Sequence, residues 1–193
     1  FDETLIGLRE GKLRKLIGTP QFAYCTYGNG LLNNGIHVID LVHMLIGETK
    51  SVQAMNQGSH KRDYSNLHFI INTKNDIPVF SSPVSFDHYR EIGIDIWGTR
   101  GRYQILNQGF THVFTKTGPH RTMENETELV QDASLYQTSK LGRSVYNNYE
   151  NLKDCILKEE ELLCDLSTAL KAESVAYNVI TVSYTHLTLP TKA

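Results

Sequence analysis

The chain has 193 residues, a net charge of −2, and 40% hydrophobic, 9% aromatic and 21% charged residues. This composition excludes intrinsic disorder, a collagen-like repeat and a disulfide scaffold, and the length suits one good-sized domain. A charge so close to zero leaves no basic footprint for nucleic acid or an anionic membrane surface, so neither is expected as a partner.

In chain order, residues 1–10 read as the last turns of a helix whose beginning is missing, with neither an initiator Met nor a signal peptide. Residues 11–20, with Lys12, Arg14 and Lys15, read as a basic, loop-like connector. Residues 1–20 are therefore expected to be the end of a preceding domain and its connector. Residues 21–27 lean to strand and end in Gly28-Asn29-Gly30, a strong turn signal. Residues 31–35 follow, then an apolar-rich helix over 36–46 stopped by Gly47.

From residue 51 the pattern changes to strands, predicted at 51–56, 67–72, 79–85, 91–97, 102–106 and 111–115. Short turn-rich breaks between them argue for antiparallel neighbours. Ile92, Ile94 and Ile96 alternate with Glu91, Gly93 and Asp95, as in a sheet with one buried face. Residues 118–144 are polar and read as an excursion or lid. Helices are predicted at 145–158 and 162–180, the second with a packed face of Leu166, Ala169, Leu170, Ala172 and Ala176.

Helix, then strands, then helices gives an α+β class: a largely antiparallel open β-sheet with helices packed on one face. The run from Val182 to Thr191 reads as the translated scar of a sequencing-library adapter, which assigns 182–193 to a foreign tail and 21–181 to the domain. His186 is accordingly no candidate for chemistry. Three widely spaced cysteines (Cys25, Cys155 and Cys164) without a C-x-x-C point to free, mostly buried thiols in a reducing, cytoplasmic setting. No apolar run is long enough for a membrane span.

The stretch with most chemical content is the helix over 36–46. Eight of its eleven residues are apolar, and its polar side chains are His37, Asp40 and His43. Spaced three apart, they share an arc of roughly 120°. His37 falls in the first helical turn, where the dipole favours neutral imidazole, a form able to take a proton from a hydroxyl. Asp40, one turn later, could orient or charge-balance it. The same pattern equally suits the wet face of an otherwise buried helix. The i, i+3, i+6 spacing fans the side chains outward, and no metal is expected.

From Tyr27 to Glu48 the chain resembles the signature region of the Gfo/Idh/MocA oxidoreductases, where a G-x-H-x-x-D helix, a short apolar run and Gly open the substrate domain. Ser51-Val52-Gln53-Ala54, the hairpin-like run from Ile94 to Tyr103 and the alanine-containing helix over 166–180 add to the resemblance, which covers about residues 8–181. It implies the second of two domains, with the N-terminal Rossmann domain missing. It also implies NAD or NADP as cofactor, bound mainly by that missing domain, and a catalytic lysine that would precede residue 1.

His37 matches the family's catalytic histidine. An acidic residue often stands four positions earlier; here it is Asn33, which can hydrogen-bond but cannot act as a base. Asn33, Asn34 and Tyr27 are the implied substrate-binding residues, with Asp40 in support. His88, Tyr89 and Arg90 are weaker candidates. Gly28/Gly30 and Gly98/Gly101 form no G-x-G-x-x-G and read as hairpin turns. The implied activity is oxidation of a secondary alcohol of a sugar or cyclic polyol, or its reverse. The fragment would be inactive alone, and the intact protein a homo-oligomer joined through the sheet face. The alternative is a non-catalytic sugar-binding or assembly member of the same fold.

Overall fold

The computed structural model describes residues 2–55 and 66–185. The chain opens with α1 (Glu3–Gly7), a wide π turn (Leu8–Lys12) and α2 (Leu13–Ile17). The expected loop is thus helical, with the break confined to Gly11, whose φ of 103° interrupts the helix. α1 opens on an N-cap, the Asp2 carboxylate accepting from the Leu5 amide at 3.0 Å. Leu8, Leu13 and Ile17 are buried in the main core, so this segment is part of the domain's packing.

Next come β1 (Pro20–Tyr27), a second π turn (Leu31–Gly35), α3 (Ile36–Leu45), β2 (Thr49–Met55), β3 (His68–Thr73) and β4 (Pro78–Pro83). The expected end of the second strand, Asn56, lies outside the described residues. After these follow β5 (Gly93–Gly98), β6 (Gly101–Leu106), β7 (Thr111–Pro119), β8 (Thr127–Leu129), β9 (Leu135–Thr138), α4 (Ser144–Lys158) and α5 (Leu166–Thr185). Residues 182–185, expected as foreign tail, continue α5, and Val182 packs against the core. Residues 186–193 lie outside the described part.

Among the described residues one sheet runs in the order β2-β3-β4-β1-β5-β6-β7-β8, with β9 also on β7. Every pairing is antiparallel except β1 with β4. The architecture is the expected α+β, a mostly antiparallel open sheet with helices. The polar excursion is not a lid: it supplies β8 and β9, both hydrogen-bonded to β7.

Strand alternation builds the core. Ala23, Cys25 and Tyr27 of β1 lie on the same face as Val79, Phe69, Ile71, Ile94, Ile96, Tyr103 and Ile105, by the register of successive pairs. On this face α5 lies along β2 and on α3, α3 touches β1, and α2 touches β6 and β7. The buried stripe of α5 is Ala172, Val175, Ala176 and Val179. Leu166 and Leu170, expected there, are 74% and 51% exposed, and Ala169 is exposed too. The opposite sheet face carries half-buried Phe22 and Trp97, stacked with ring centroids 5.6 Å apart. Arg102 lies over Trp97 and pairs with Asp95.

Of the cysteines, Cys25 is buried, Cys155 half-buried and Cys164 exposed, so most of the thiol surface is not hidden as expected. No helix among the described residues is long and apolar enough to cross a membrane.

Candidate functional site at the start of α3

The site region is set by how β1 hands the chain to α3. Gly28-Asn29-Gly30 joins a strand to a helix, which corrects the hairpin expected there; Gly98/Gly101 does close the β5–β6 hairpin. Asn29 and Gly30 take φ of 56° and 93°, turning the chain sharply. A Cβ on Gly28 would fall 2.1 Å from the Phe86 ring and 2.8 Å from the Val84 carbonyl. Glycine is therefore required at 28 by packing. The space a dinucleotide pyrophosphate would need beside such a turn is filled by Phe86, so this turn does not fit that group.

Helical hydrogen bonding then begins earlier than expected. The Asn33 and Gly35 amides both donate to the Gly30 carbonyl, at 3.3 and 3.2 Å, making the π turn that precedes α3. His37 consequently lies beyond the first turn of the composite helix. The dipole effect, which fades within one turn, falls on residues 31–34 instead. Asn33 and Asn34 occupy that turn, and π turns of this kind recur at functional sites.

The anchor of the region is Tyr27. It is fully buried, its ring tilted against Phe69, and its hydroxyl donates to the Leu67 carbonyl while accepting from the Leu67 amide at 2.9 Å. Burial pushes its ionisation well above the ordinary range. With its ring fully buried and its hydroxyl engaged by both backbone groups of Leu67, Tyr27 packs as a core strut.

His37 and Asn33 are exposed and Asn34 and Asp40 half-buried, while Val38, Ile39, Val42 and Leu45 turn inward. No hydrogen bond to a described residue engages the His37 ring. The expected arc divides: His37 faces open solvent, whereas Asp40 and His43 line a cleft of about 370 Å³ with Ile6, Arg9, Glu48, Leu163, Cys164 and Lys171. His43 is bound through Nε2 to the Thr49 hydroxyl at 2.8 Å. Burial holds it below the usual histidine range, partly offset by Asp40 and Glu48. Glu48 receives both Lys74 and Lys171 at 2.7 Å, and these two cations draw its carboxyl down to about 2.

The cleft escaped sequence reasoning because it is assembled from three distant segments: α1 with its π turn, α3 as far as Glu48, and the chain on either side of the start of α5. Only Asp40 and His43 sit in a contiguous motif. Gly47 closes α3 with φ of 150°, and its amide and that of Ile46 both reach the Val42 carbonyl. A Cβ there would lie 2.5 Å from Asn75, which donates to the Ile46 carbonyl. His88, Tyr89 and Arg90 are exposed in the turn after β4, with Arg90 over the Phe86 ring. Among the described residues no group of three or more His, Cys, Asp or Glu is arranged to hold a metal.

Comparison with known proteins bears on this geometry. No curated protein matches the chain. Among solved structures it is similar to levoglucosan dehydrogenase in complex with NADH (12% identity, TM-score 0.73, covering 94% of this chain and 61% of that one). It is also similar to the WlbA dehydrogenase from Bordetella pertussis in complex with NADH and UDP-GlcNAcA (12%, 0.66, 98% and 60%). A third likeness is to a super-repressor mutant of Gal80p from Saccharomyces cerevisiae (13%, 0.70, 97% and 62%). At such identities the likeness is one of fold, and the chain spans about 60% of the length of the structures it matches. The family model described as "Oxidoreductase family, C-terminal alpha/beta domain" matches residues 25–182. The sheet, the α3 motif and this match together make the chain a member of the Gfo/Idh/MocA oxidoreductases, carrying their C-terminal domain.

Proposed function

We propose that the intact protein is an NAD(P)-dependent dehydrogenase acting on a secondary alcohol of a sugar or cyclic polyol, and that this chain is its substrate domain, inactive alone. The observation that carries the reading is His37: an exposed imidazole without a side-chain partner among the described residues, one turn into a helix whose other face is buried, in a chain of this family. A nicotinamide, held by a domain outside this chain, would supply hydride acceptance. Within the chain, His37 takes the hydroxyl proton of the substrate. Asn33 and Asn34, on the preceding turn, hydrogen-bond neighbouring hydroxyls. Asp40 supports the imidazolium by charge from the adjoining cleft. The stacked, half-buried Phe22 and Trp97 on the open sheet face support association of copies through that face.

The test is to express the chain with the coding sequence that precedes Phe1 and follow NAD(P)H formation with a panel of sugars and polyols. His37→Ala is expected to lower kcat about 10²-fold or more, the usual scale of general-base loss. An unimpaired variant removes His37 from the reaction. The presence of Asn33 where an acidic residue is common favours a second reading, a non-catalytic sugar-binding or assembly member. A long form that binds sugar but turns over no nicotinamide would select it.

A further inference from the structure

The chain contains two Asn-Gly pairs, and both flank the π turn that leads into α3: Asn29-Gly30 before it and Asn34-Gly35 at its end. Glycine has no side chain to shield its amide nitrogen, so in this dipeptide that nitrogen can reach the carboxamide carbon of the asparagine before it. Attack closes a five-membered succinimide. As sequence the two pairs are equivalent, but the fold treats them differently.

Asn29 is exposed, with φ of 56°, and Gly30 follows at 93°. Among the described residues no hydrogen bond engages the Asn29 carboxamide or the Gly30 amide. Both reacting groups are therefore open to water, and bringing them together breaks no hydrogen bond of theirs. At Asn34 the corresponding atoms are tied down. The Gly35 amide donates to the Gly30 carbonyl at 3.2 Å, and Gly35 is buried. A Cβ there would lie 2.7 Å from the Leu31 side chain. Closing the ring at Asn34 requires the π turn to open first, and its rate is scaled down by that opening equilibrium.

We infer that Asn29 is a site of spontaneous modification, converting to aspartate and isoaspartate while Asn34 stays intact. The Gly30 nitrogen gives its proton to solvent and bonds to Cγ of Asn29. The Cγ–Nδ2 bond breaks, and ammonia leaves with a proton returned by solvent. Water then opens the ring on either side. Cleavage of the new bond gives aspartate. Cleavage of the original peptide bond gives isoaspartate, with Cβ now in the main chain. One water is consumed, one ammonia is released, and nothing is oxidised or reduced. Each product adds a negative charge. Isoaspartate also lengthens the main chain by one carbon just before Gly30, whose carbonyl holds the Asn33 and Gly35 amides. The turn that carries Asn33 toward His37 is thereby loosened.

The test incubates the folded chain in mildly alkaline buffer beside the same chain unfolded in guanidinium, following both asparagines by peptide mass spectrometry. Unfolded, the two are expected to react at comparable rates; folded, Asn29 is expected to react at least tenfold faster than Asn34. Comparable rates in the folded chain overturn the proposal. So does an Asn29 that reacts in guanidinium and stays intact when folded. Amide exchange at Asn33 and Gly35 reads the consequence. It is expected to quicken severalfold in the aged chain but not in aged Asn29→Gln, which keeps a carboxamide and cannot close the five-membered ring. Isoaspartate at position 29 with unchanged exchange overturns the loosening and leaves the modification site standing.

Discussion

α4 and α5 are consecutive helices of 15 and 20 residues, and they treat their apolar residues in opposite ways. α5 lays Ala172, Val175, Ala176 and Val179 against β2 and α3, all nearly inaccessible to solvent. α4 turns its polar side to the chain, Asn151 reaching the Glu161 carbonyl and the Leu163 amide, and leaves its stripe of Val145, Tyr149, Leu152 and Ile156 in water. The contrast shows that an apolar period in a helix does not by itself fix burial within the chain: α5 buries its stripe and α4 does not.

The sharpest way to break the contrast is to place the same charge on both helices of the 193-residue chain. Val179→Asp is expected to cost about 4 kcal/mol or more, since a carboxylate would enter an apolar core without a partner. Ile156→Asp should stay within about 0.5 kcal/mol. Urea titration measures both, and comparable losses would mean that α4 is part of the cooperative core.

A smaller effect is expected at Tyr27, which lies in the same core as the α5 stripe. Tyr27→Phe leaves the buried amide and carbonyl of Leu67 without their partner, a loss of about 1–3 kcal/mol. Core amides should exchange faster in proportion, while those of α4 stay unchanged. A matching acceleration in α4 would show that the two regions open together.

The smallest effect concerns pH. His112 is buried, with Nδ1 on the Tyr103 hydroxyl at 3.0 Å, and burial holds its pKa below the ordinary 6.5 although Asp2 acts the other way. The unfolded chain therefore binds the proton more readily, and stability is expected to fall as pH drops below about 6.5 toward the folded value. His43, lowered for the same reason, adds to the slope. His112→Gln should flatten the pH dependence of the urea midpoint below pH 6.5; an unchanged slope would assign the dependence elsewhere.

Much of this architecture is legible locally. The alternation of Ile94 and Ile96 with Asp95 and Trp97 marks a half-covered strand, and Gly98-Thr99-Arg100-Gly101 marks its hairpin. The apolar run of α3 and its stop at Gly47 follow from helix period and a glycine-only backbone angle. The parallel pairing of β1 with β4 has no such signature, because it joins strands separated by the whole β2–β3 hairpin. β8 and β9 escaped notice because their sequences are short and bury almost nothing. At the site, the motif names His37, Asn33 and Asp40 as candidates, but the burial of Tyr27 has no local signature. An aromatic residue before a glycine turn reads alike whether its hydroxyl meets a ligand or a backbone some 40 residues away.

The two short strands on β7 have a consequence for the molecule in solution. An uncovered strand edge offers a row of free amides and carbonyls to any passing chain, a common origin of aggregation. Here β9 covers positions 111–114 of β7 and β8 covers 117–119. The outer rim passes to strands of four and three residues. Segments that short make poor templates for a further strand. The stretch that looked like a lid acts as a hem, closing the β7 edge of the sheet with two short strands.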